Sequence, residues 1–592
     1  MLKALYDYAV SHQLILPEGY VNKTVAAYIM FSSSAPDFVE VFMGNTSDIP
    51  CPDIGSLANG KEKCNIIAEK RSVVIPDEAN AKSSFFRAAL EELGQTDSDA
   101  KLCAEKLSDE AMLPKIREKL DAAKIKPANR ISFMVDDRRL LDSPHLPDWW
   151  QRFRRQLLPP PKGELTPCLI TGELTSPVAT VPPVSGLQVV GGHARGDALI
   201  CFDKPAFCSY GQKQAANAPV SEQTIGAVKT ALDHLLADAP ILSGMKFVHW
   251  YDKDISSAED PILSSDIFGF TVDEDESEQD FSAETETTAK KSADRLINSV
   301  RSGEYSSALN TQYHILLLSG VGGRVMVRRY ERGQYKNLQD ALALWRQDLS
   351  LVSPNGKGPC PPMKLTGRLI RLLKYQKSDR NTLQRLSDEL SGITPAVLTA
   401  ILSGGKLPDA VAVRALAHIR SSLLSADNGD RSNSYTNLDR CACQWLKVWL
   451  IRHTERSDTH LKEAYNPDHP EAAYHCGAAM AVYTAIQNRA MPEVNATVAQ
   501  RYYASCIQTP ALVLGRLSMN SVHHLNKIEY KTVRDNFQAR LEQTHSAIGA
   551  HIPTTLNLKQ QSYFALGYYQ MHALLKQNQN KNSAATTEEE EV

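Results

Sequence analysis

Adjacent acids and closely spaced histidines and cysteines are the side chains that could supply acid–base or metal chemistry in this sequence of 592 residues. Asp136 and Asp137 are neighbours, and neighbouring side chains of a strand point to opposite faces. We therefore interpret them as a turn or a structural pair rather than an acid–base dyad. His469, His475 and Cys476 lie close together, but their spacing matches no zinc motif. None of these groups predicts a reaction centre.

The other candidates for catalysis fail on similar grounds. Cys441 and Cys443 point in two directions on a helix, as do His523 and His524. The sequence GVGGR (320–324) lacks the Gly-Lys-Ser/Thr of a phosphate-binding loop, and the strand that follows it stands where a dinucleotide fingerprint needs a helix. We therefore predict no enzyme activity, no metal and no cofactor, although sequence spacing does not test a triad assembled from distant residues.

Recognition chemistry is concentrated in one loop. The run ALICF (198–202) predicts a strand, and EQTIGAVKTALDHLLA (222–237) predicts a helix with Ser221 as its N-cap. The loop between them contains Gly211, Gln212, Lys213, Gln214 and Asn217. Amides and a lysine can bond to base edges, and glycine lets a backbone approach closely. The alternative is an Asn-Ala-Pro turn that caps the next helix, with Asn217 bonded to backbone.

Charge is distributed unevenly along the chain. The net charge is −3, so nucleic-acid contacts must come from local patches or from partners. Residues 324–380 contain thirteen Lys/Arg against four Asp/Glu, which indicates a basic patch. The segment DWWQRFRRQLL (148–158) combines tryptophans with arginines and can stack on nucleic acid. Its alternative is an amphipathic helix with a solvated basic face.

The elements that must position these residues fall into two regions. Helical patterns at 2–15 and 84–125 alternate with short apolar runs between 21 and 86 and with ISFMVDD, which are typical of strands. KFVHWYD (246–252) predicts a strand, and 313–330 predicts a hairpin around a Gly-rich turn. After about residue 362 the pattern is helical to near the end. We therefore predict an α+β fold: a mixed α/β region with several sheets, then a helical bundle.

Composition shifts give the predicted domain boundaries. PPPKGE (159–164) separates an α/β domain, 1–158, from a strand-rich domain, 159–361, and the helical bundle spans 362–580. Acidic runs at 273–286 and 581–592 predict an acidic insertion and a disordered tail. Eleven scattered cysteines without C-x-x-C spacing, no leader peptide and no long apolar run predict a cytoplasmic protein without a membrane segment.

Several long motifs, in order along most of the chain, carry a family resemblance. CLITGE (168–173) and GGHARGDALICFDKPAFCSYGQKQAANAPVSE (191–222) resemble the large subunit of the type I-C CRISPR surveillance complex, Cascade. So do LLLSGVGGRVMVRRY (316–330), AILSGGKLP (400–408), AAYHCGAAMAVYTAIQNRA with RYYASCIQTPALVLGRL (472–517), and FALGYYQMHALL (564–575). The turn GVGGR departs from the Pro-Asn-containing turn expected there, and the acidic segment 273–286 resembles an insertion.

The resemblance implies a non-catalytic protein of antiviral defence. Such a subunit binds the crRNA complex at the 5′-handle end, together with backbone, handle-binding and small subunits. It reads the protospacer-adjacent motif on target double-stranded DNA, promotes duplex opening and R-loop formation, and recruits the helicase–nuclease. The last part of the helical bundle resembles the small subunits of related complexes.

The resemblance also gives the loop and the basic residues a use. Lys213 and Asn217 are the first choices for base-edge contacts, Gln212 or Gln214 for a wedge, with Gly211 allowing close approach. Arg195 in the GGHARG turn would contact phosphate or the minor groove. The predicted nucleic-acid backbone contacts are Arg152, Arg154, Arg155, Arg324, Arg328, Arg329, Arg368, Arg371, Lys374, Lys447, Arg452 and Arg501.

Two other functions remain alternatives on the sequence. One is a nuclease or other nucleic-acid-processing enzyme, which predicts metal-dependent cleavage by the isolated chain. The other is a guide-RNA-binding scaffold, which predicts binding to the assembled complex without dependence on a DNA motif.

Overall fold

The computed structural model describes most of the chain: residues 1–44, 49–158, 165–202, 204–208, 211–212, 214–256, 260–263, 311–353, 364–376, 381–425, 438–492, 494 and 496–590. Lys213 and the acidic segment 273–286 lie outside the described residues. Contacts within the chain define two compact units, one of residues 1–186 with 195–237 and one of residues 187–194 with 238–592.

The first unit is built on a mixed sheet of short strands. Its strand order is β3-β2-β6-β5, with β7 on β6 and β2 parallel to β6, while β1 and β4 form a separate antiparallel pair. Parallel neighbours need a long crossover, and the helices between β2 and β6 lie in it. The strands are β1 Tyr20–Lys23, β2 Ala27–Phe31, β3 Val39–Met43, β4 Ile49–Pro52, β5 Glu69–Lys70, β6 Arg130–Val135, β7 Arg138–Arg139 and a separate pair, β8 Thr166–Pro167 with β9 Leu174–Thr175.

Helices α2–α6 pack on this sheet through their apolar faces. In α6 the buried residues Trp149, Trp150 and Phe153 follow the helical period, and Trp150 also donates from Nε1 to the Gly19 carbonyl at 3.1 Å. Helix α7 packs on α1, where Tyr8 and His234 are hydrogen bonded. The helices are α1 Leu2–Ser11, α2 Arg71–Val74, α3 Ala81–Leu93, α4 Ser98–Ser108, α5 Met112–Ala122, α6 Leu146–Leu157 and α7 Glu222–Ala237.

The Asp136–Asp137 pair forms the turn between β6 and β7. Both residues have positive φ, 45° and 68°, the backbone that suits a tight hairpin turn and that aspartate tolerates. Asp136 Oδ1 accepts a hydrogen bond from the Ser33 backbone N–H at 3.0 Å. The interpretation as a structural turn is therefore confirmed.

A four-stranded antiparallel sheet anchors the second unit. Its order is β10-β11-β12-β13, so β13 is an edge strand. The predicted hairpin is confirmed: β12 and β13 are joined by Gly322 and Gly323, whose φ values of 57° and 80° are typical of a type I′ turn. The strands are β10 Ile241–Leu242, β11 Met245–Tyr251, β12 Gln312–Val321 and β13 Arg324–Gln334.

The rest of the second unit is helical, and the predicted α+β class is confirmed. Helices α14 and α18 cross at its centre, flanked by α13, α16 and α17. The helices are α8 Tyr335–Leu349, α9 Leu365–Ile370, α10 Thr382–Leu390, α11 Thr394–Ser403, α12 Asp409–Ser425, α13 Arg440–His453, α14 Ala472–Ala490, α15 Val498–Cys506, α16 Pro510–Asn526, α17 Lys531–Ile548 and α18 Leu558–Glu590.

Two features differ from the sequence-based expectation. The two units divide the predicted domain 159–361 between them, because α7 packs on α1 whereas β10–β13 belong with the helices that follow. Helix α18 continues as far as Glu590, into the segment predicted as a disordered tail.

A buried ionic cluster joins α8, α11 and α13. Asp348 accepts from Arg452 Nε at 3.0 Å and from both terminal nitrogens of Arg456 at 2.8 and 2.7 Å. Arg452 also donates to the carbonyls of Ala400 and Gly405, and its guanidinium lies 4.9 Å from the ring centroid of Trp345. The side chains of Asp348 and Arg452 are 2% and 1% exposed, so the pair is desolvated.

Two glycines let α14 and α18 touch backbone to backbone. A Cβ on Gly477 would lie 1.9 Å from the Phe564 carbonyl oxygen, and one on Gly567 would lie 1.9 Å from the Tyr474 carbonyl oxygen. Both distances are far below a van der Waals contact. The crossing therefore requires glycine on both helices.

Two buried histidines make the second unit sensitive to acid. Burial lowers the pKa of His469 and of His572 to about 4, from an ordinary value of 6.5. Between these pH values the unfolded chain binds more protons than the folded chain, so acid favours unfolding. We expect the free energy of unfolding, measured by urea titration, to fall between pH 6.5 and pH 4. His572→Gln should make this fall shallower, and an equally steep fall would contradict the assignment.

Candidate nucleic-acid interface

The loop predicted to read DNA exposes its polar side chains in the first unit. Gly211, Gln212 and Gln214 are exposed, and Gly211 and Gln214 have positive φ of 73° and 48°. Residues Gln214–Asn217 form a short 3₁₀ turn that buries Ala215. The backbone thus presents two glutamines to solvent from a turn with one apolar anchor. Lys213 lies outside the described residues.

Asn217 has a structural role in this loop. Its Nδ2 donates to the carbonyls of Gln212 at 3.2 Å and Gln214 at 3.0 Å, so the side chain bridges the loop. This matches the alternative in which Asn217 bonds to backbone. The cap of α7 is separate, since Ser221 Oγ accepts from the Thr224 N–H at 3.0 Å.

The CLITGE motif holds the far end of the loop. Residues 168–173 close a turn in which the Cys168 carbonyl accepts from Gly172 and its N–H donates to Glu173, both at 2.8 Å. From this turn the Leu169 N–H donates to the Pro219 carbonyl at 2.9 Å. The CLITGE motif and the segment 191–222, which both carry the family resemblance, are therefore joined in the structure.

The thiol of Cys168 lies inside this turn. Burial raises its pKa, but hydrogen bonds from the backbone N–H groups of Thr171, Ile170 and Ser221 and from the Thr171 side chain outweigh burial and lower it to about 7. The turn thus concentrates N–H donors where the loop rejoins α7. The run ALICF before the loop, predicted as a strand, forms no strand; the pairing beside it is the isolated bridge of Asp197 with Val184.

The GGHARG turn is divided between the two units. In the second unit the backbone of Gly191 and Gly192 packs closely against β12. A Cβ on Gly320 would lie 2.1 Å from the Gly192 Cα. In the first unit Arg195 is exposed, next to Gly196 with φ of 94°. Arg195 is therefore presented on the surface of the unit that contains the loop.

Helix α6 is amphipathic, which agrees with the alternative given for the segment 148–158, an amphipathic helix with a solvated basic face. Arg152 and Arg155 are exposed on the face opposite the buried tryptophans. Arg154 is only 14% exposed and bonds to Glu18 at 2.8 Å and to Glu222. Arg152 and Arg155 remain candidates for phosphate contact, whereas Arg154 joins α6 to α7.

Strand β13 displays a basic, exposed edge. Arg324, Arg328 and Arg329 are all exposed, and Arg329 also pairs with Glu331 at 2.6 Å. A register shift between Leu317 and Leu318 leaves Arg328 as an extra residue in the ladder, where its Nε donates to Ser319 Oγ at 2.8 Å. A bulge of this kind redirects a side chain.

Three predicted contacts in the helical part are contradicted by burial. Arg368 is 5% exposed and donates to Gln444 Oε1 at 2.8 Å, Lys447 is 3% exposed and donates to the Ser350 carbonyl, and Arg452 belongs to the Asp348 cluster. Burial also lowers the pKa of Lys447 to about 8. These side chains are bonded within the core, so we withdraw them as contacts to nucleic acid.

The remaining predicted cations are accessible. Lys374 and Arg501 are exposed, and Arg371 is partly exposed with its Nε 3.3 Å from Asp439 Oδ2. Sequence reasoning did not single out Arg332 and Lys336, which are exposed on and just after β13. The excess of Lys/Arg over 324–380 was the signal for them.

Two kinds of feature are absent from the residues that the structure describes. In the parts of the chain that the structure describes, no three His, Cys, Asp or Glu side chains are grouped as a metal site would require. Within the same residues, no helix combines the length and apolarity needed to cross a membrane.

Comparison with known families agrees with the motif positions. The family described as CRISPR-associated protein (Cas_Csd1) matches residues 11–575, which include the loop, the CLITGE turn and the helical bundle. The chain belongs to this family. Membership in Cas_Csd1 confirms the resemblance to the type I-C large subunit and identifies a CRISPR-associated Cascade subunit. No curated protein matches the sequence significantly.

Proposed function

We propose that this Cas_Csd1 protein reads the protospacer-adjacent motif on target double-stranded DNA within a crRNA-guided Cascade complex. In this role it is non-catalytic, acts in the cytoplasm, helps to open the duplex for R-loop formation and recruits the helicase–nuclease. The observation that carries the proposal is the loop 211–217, which exposes Gln212 and Gln214 and is held at its far end by the CLITGE turn.

The chemistry of the loop fits a reader of a short motif. Because the guide pairs with the target strand, the protein needs to read only a few adjacent base pairs. Gln212 and Gln214 are exposed and can donate and accept at base edges, and Lys213 between them can donate to acceptors in either groove. The bonds from Asn217 to this segment shape the loop, so we assign Asn217 a positioning role and keep Lys213 as the first base contact.

Surface arginines supply the contacts that do not depend on sequence. Arg195 lies in the same unit as the loop, as do Arg152 and Arg155 on α6. Arg324, Arg328 and Arg329 on β13 form a second basic surface. Each phosphate contact adds affinity for any sequence and strengthens the dependence on salt.

The test compares target duplexes with every three-base flank, bound by the assembled complex. We expect binding to depend on the flank, and Lys213→Ala to reduce the free-energy difference between the best and worst flanks by about 1–3 kcal/mol. Asn217→Ala should also reduce it, by loosening the loop. Affinity is measured by filter binding or mobility shift at fixed salt.

Lys204→Ala is the matched control. Lys204 is an exposed lysine seven residues before Gly211, and its removal changes the charge equally. It should weaken all flanks uniformly. If the flank matters but Lys213→Ala leaves its effect intact, the loop assignment fails. If the flank never matters, the protein is a guide-RNA-binding scaffold; metal-dependent cleavage by the isolated chain would instead support the nuclease.

A further inference from the structure

The helical part of the second unit contains a cavity of about 240 Å³. Its walls come from the segment after α9, the first turn of α10, the middle of α12 and the residue before α13. Pockets for drug-sized molecules usually hold about 300–1,000 Å³, so this cavity, which is smaller, suits a small ligand or one unit of a larger one. The lining residues used below are Arg371, Lys374, Tyr375, Arg385, His418 and Asp439.

The charge of the walls favours an anion. Arg371, Lys374 and Arg385 face the cavity against one carboxylate, Asp439. That carboxylate is already compensated, because it accepts from Arg371 Nε at 3.3 Å and from the Ala442 N–H at 2.8 Å at the start of α13. Since Asp439 pairs with Arg371 and Glu389 with Arg385, the charge of Lys374 is the excess among these groups, and arginine donors suit phosphate oxygens.

The geometry of Arg385 fixes one of these cations in place. Its Nη2 donates to the Lys374 carbonyl at 2.9 Å and its Nε bonds to Glu389 at 3.1 Å, and the side chain is only 16% exposed. The same bond orders the backbone that carries Lys374. A positioned guanidinium beside a flexible lysine is a common arrangement for holding phosphate.

An aromatic wall stands beside the cations. Tyr375 is 38% exposed, and its backbone N–H donates to Ser421 Oγ at 2.9 Å. Its ring meets the buried ring of His418 edge-on, with centroids 5.9 Å apart, and His418 is held by its Nδ1–H bond to the Leu373 carbonyl at 2.7 Å. A partly exposed aromatic ring whose backbone is held in place can stack on a nucleobase.

We propose that this cavity binds one nucleotide, with its phosphate on Arg371, Lys374 and Arg385 and its base against Tyr375. The nucleotide is either free in solution or one unit of a strand bound by the complex. Only the second source rests on the proposed function. Arg371 and Lys374 were predicted as separate contacts to the nucleic-acid backbone. In this proposal they bind the same ligand.

The first test titrates the full chain with 5′-dTMP, and with thymidine and inorganic phosphate for comparison, by calorimetry. We expect saturable binding of dTMP at one site and weaker binding of either half. Removing one charge-assisted bond by Arg371→Gln should weaken dTMP about tenfold. Tyr375→Ala should weaken dTMP to a similar extent but leave phosphate unchanged, and Tyr375→Phe should restore dTMP binding.

Lys406→Gln is the matched control, because Lys406 is an exposed cation of the same unit that does not line the cavity. The proposal is overturned if dTMP does not saturate, or if Lys406→Gln weakens it as much as Arg371→Gln. A short oligodeoxythymidine then separates the sources. If Tyr375→Ala weakens binding of the oligonucleotide as much as binding of dTMP, the ligand is a unit of a strand. If it weakens binding of dTMP alone, the ligand is a free nucleotide. The test of flank dependence uses neither Arg371→Gln nor Tyr375→Ala. The proposal of a nucleotide site and the proposal of a motif-reading loop can therefore fail separately.

Discussion

Asp348→Ala should lower the free energy of unfolding by about 3–5 kcal/mol. The substitution removes the only carboxylate that pairs with Arg452 in the described core, and it leaves that guanidinium buried at 1% exposure. Its remaining bonds, to the carbonyls of Ala400 and Gly405, do not neutralise the charge. The change is measured by equilibrium urea unfolding of the full chain at pH 7.

An exposed ion pair provides the comparison for Asp348. Lys406 and Glu455 lie 2.9 Å apart with side chains 56% and 77% exposed, and such pairs contribute about 0–1 kcal/mol. Glu455→Ala should therefore change the stability little. A loss with Asp348→Ala no larger than that with Glu455→Ala would show that the buried cluster does not stabilise the unit. Replacing Asp348 by Asn, which keeps the shape and an acceptor, should lie between the two.

Gly567→Ala is expected to destabilise the bundle by about 3 kcal/mol, at the upper end of the cost of overpacking. The new methyl group would meet the Tyr474 carbonyl oxygen at 1.9 Å, and this oxygen belongs to helix backbone that cannot rotate away. Helices α14 and α18 must then separate, which also loosens the reciprocal contact at Gly477. Thermal and urea unfolding of the full chain measure the loss.

Gly515→Ala in α16 is the control for this prediction. Gly515 is an exposed helical glycine, and no atom lies within 4 Å of the position of its Cβ. Alanine is a better helix former than glycine by about 1 kcal/mol, so this variant should be slightly more stable. If Gly567→Ala were as stable as Gly515→Ala, the two helices would have to cross at a greater distance than we describe.

The periodic elements were predictable because their signal is local. The hairpin 313–330 is two apolar runs around paired glycines, and α7 begins at a serine cap, as its sequence predicts. The helical bundle follows from sustained 3.6-residue spacing with short loops. In each case the information lies within about twenty residues. The division into two units was not predictable in this way, because it depends on contacts such as α7 on α1.

The buried cations show why single charged residues are poor indicators of surface. Lys447 and Arg452 were predicted as contacts to nucleic acid, and lysine and arginine are indeed rarely buried. Yet every residue of α13 from Cys441 to Leu450 is buried, so this helix is apolar on all sides and belongs in a core. The run CACQWLKVWLI contained that signal. Partners such as Asp348, about a hundred residues away, could not be identified from spacing.

The exposure of polar side chains in the loop was predictable, but the hydrogen bonds within the loop were not. The sequence located the loop because amides, a lysine and a glycine occur there with little to bury. The sequence did not decide whether Asn217 contacts a base or bonds to backbone. In the structure, its Nδ2 donates to two loop carbonyls. The bulge at Arg328 depends on the register of two strands and could not be predicted from one of them.

The backbone contact between Gly192 and Gly320 has a consequence for the order of synthesis. Residues 187–194 leave the ribosome about 130 residues before Gly320, which at 5–20 residues per second is a delay of about 6–26 s. The first unit can close once α7 has emerged, with this short segment looped out of it. Until Gly320 emerges, Gly191 and Gly192 lack the contact that they make in the folded chain, so we expect translation speed between residues 237 and 320 to affect the yield of native protein.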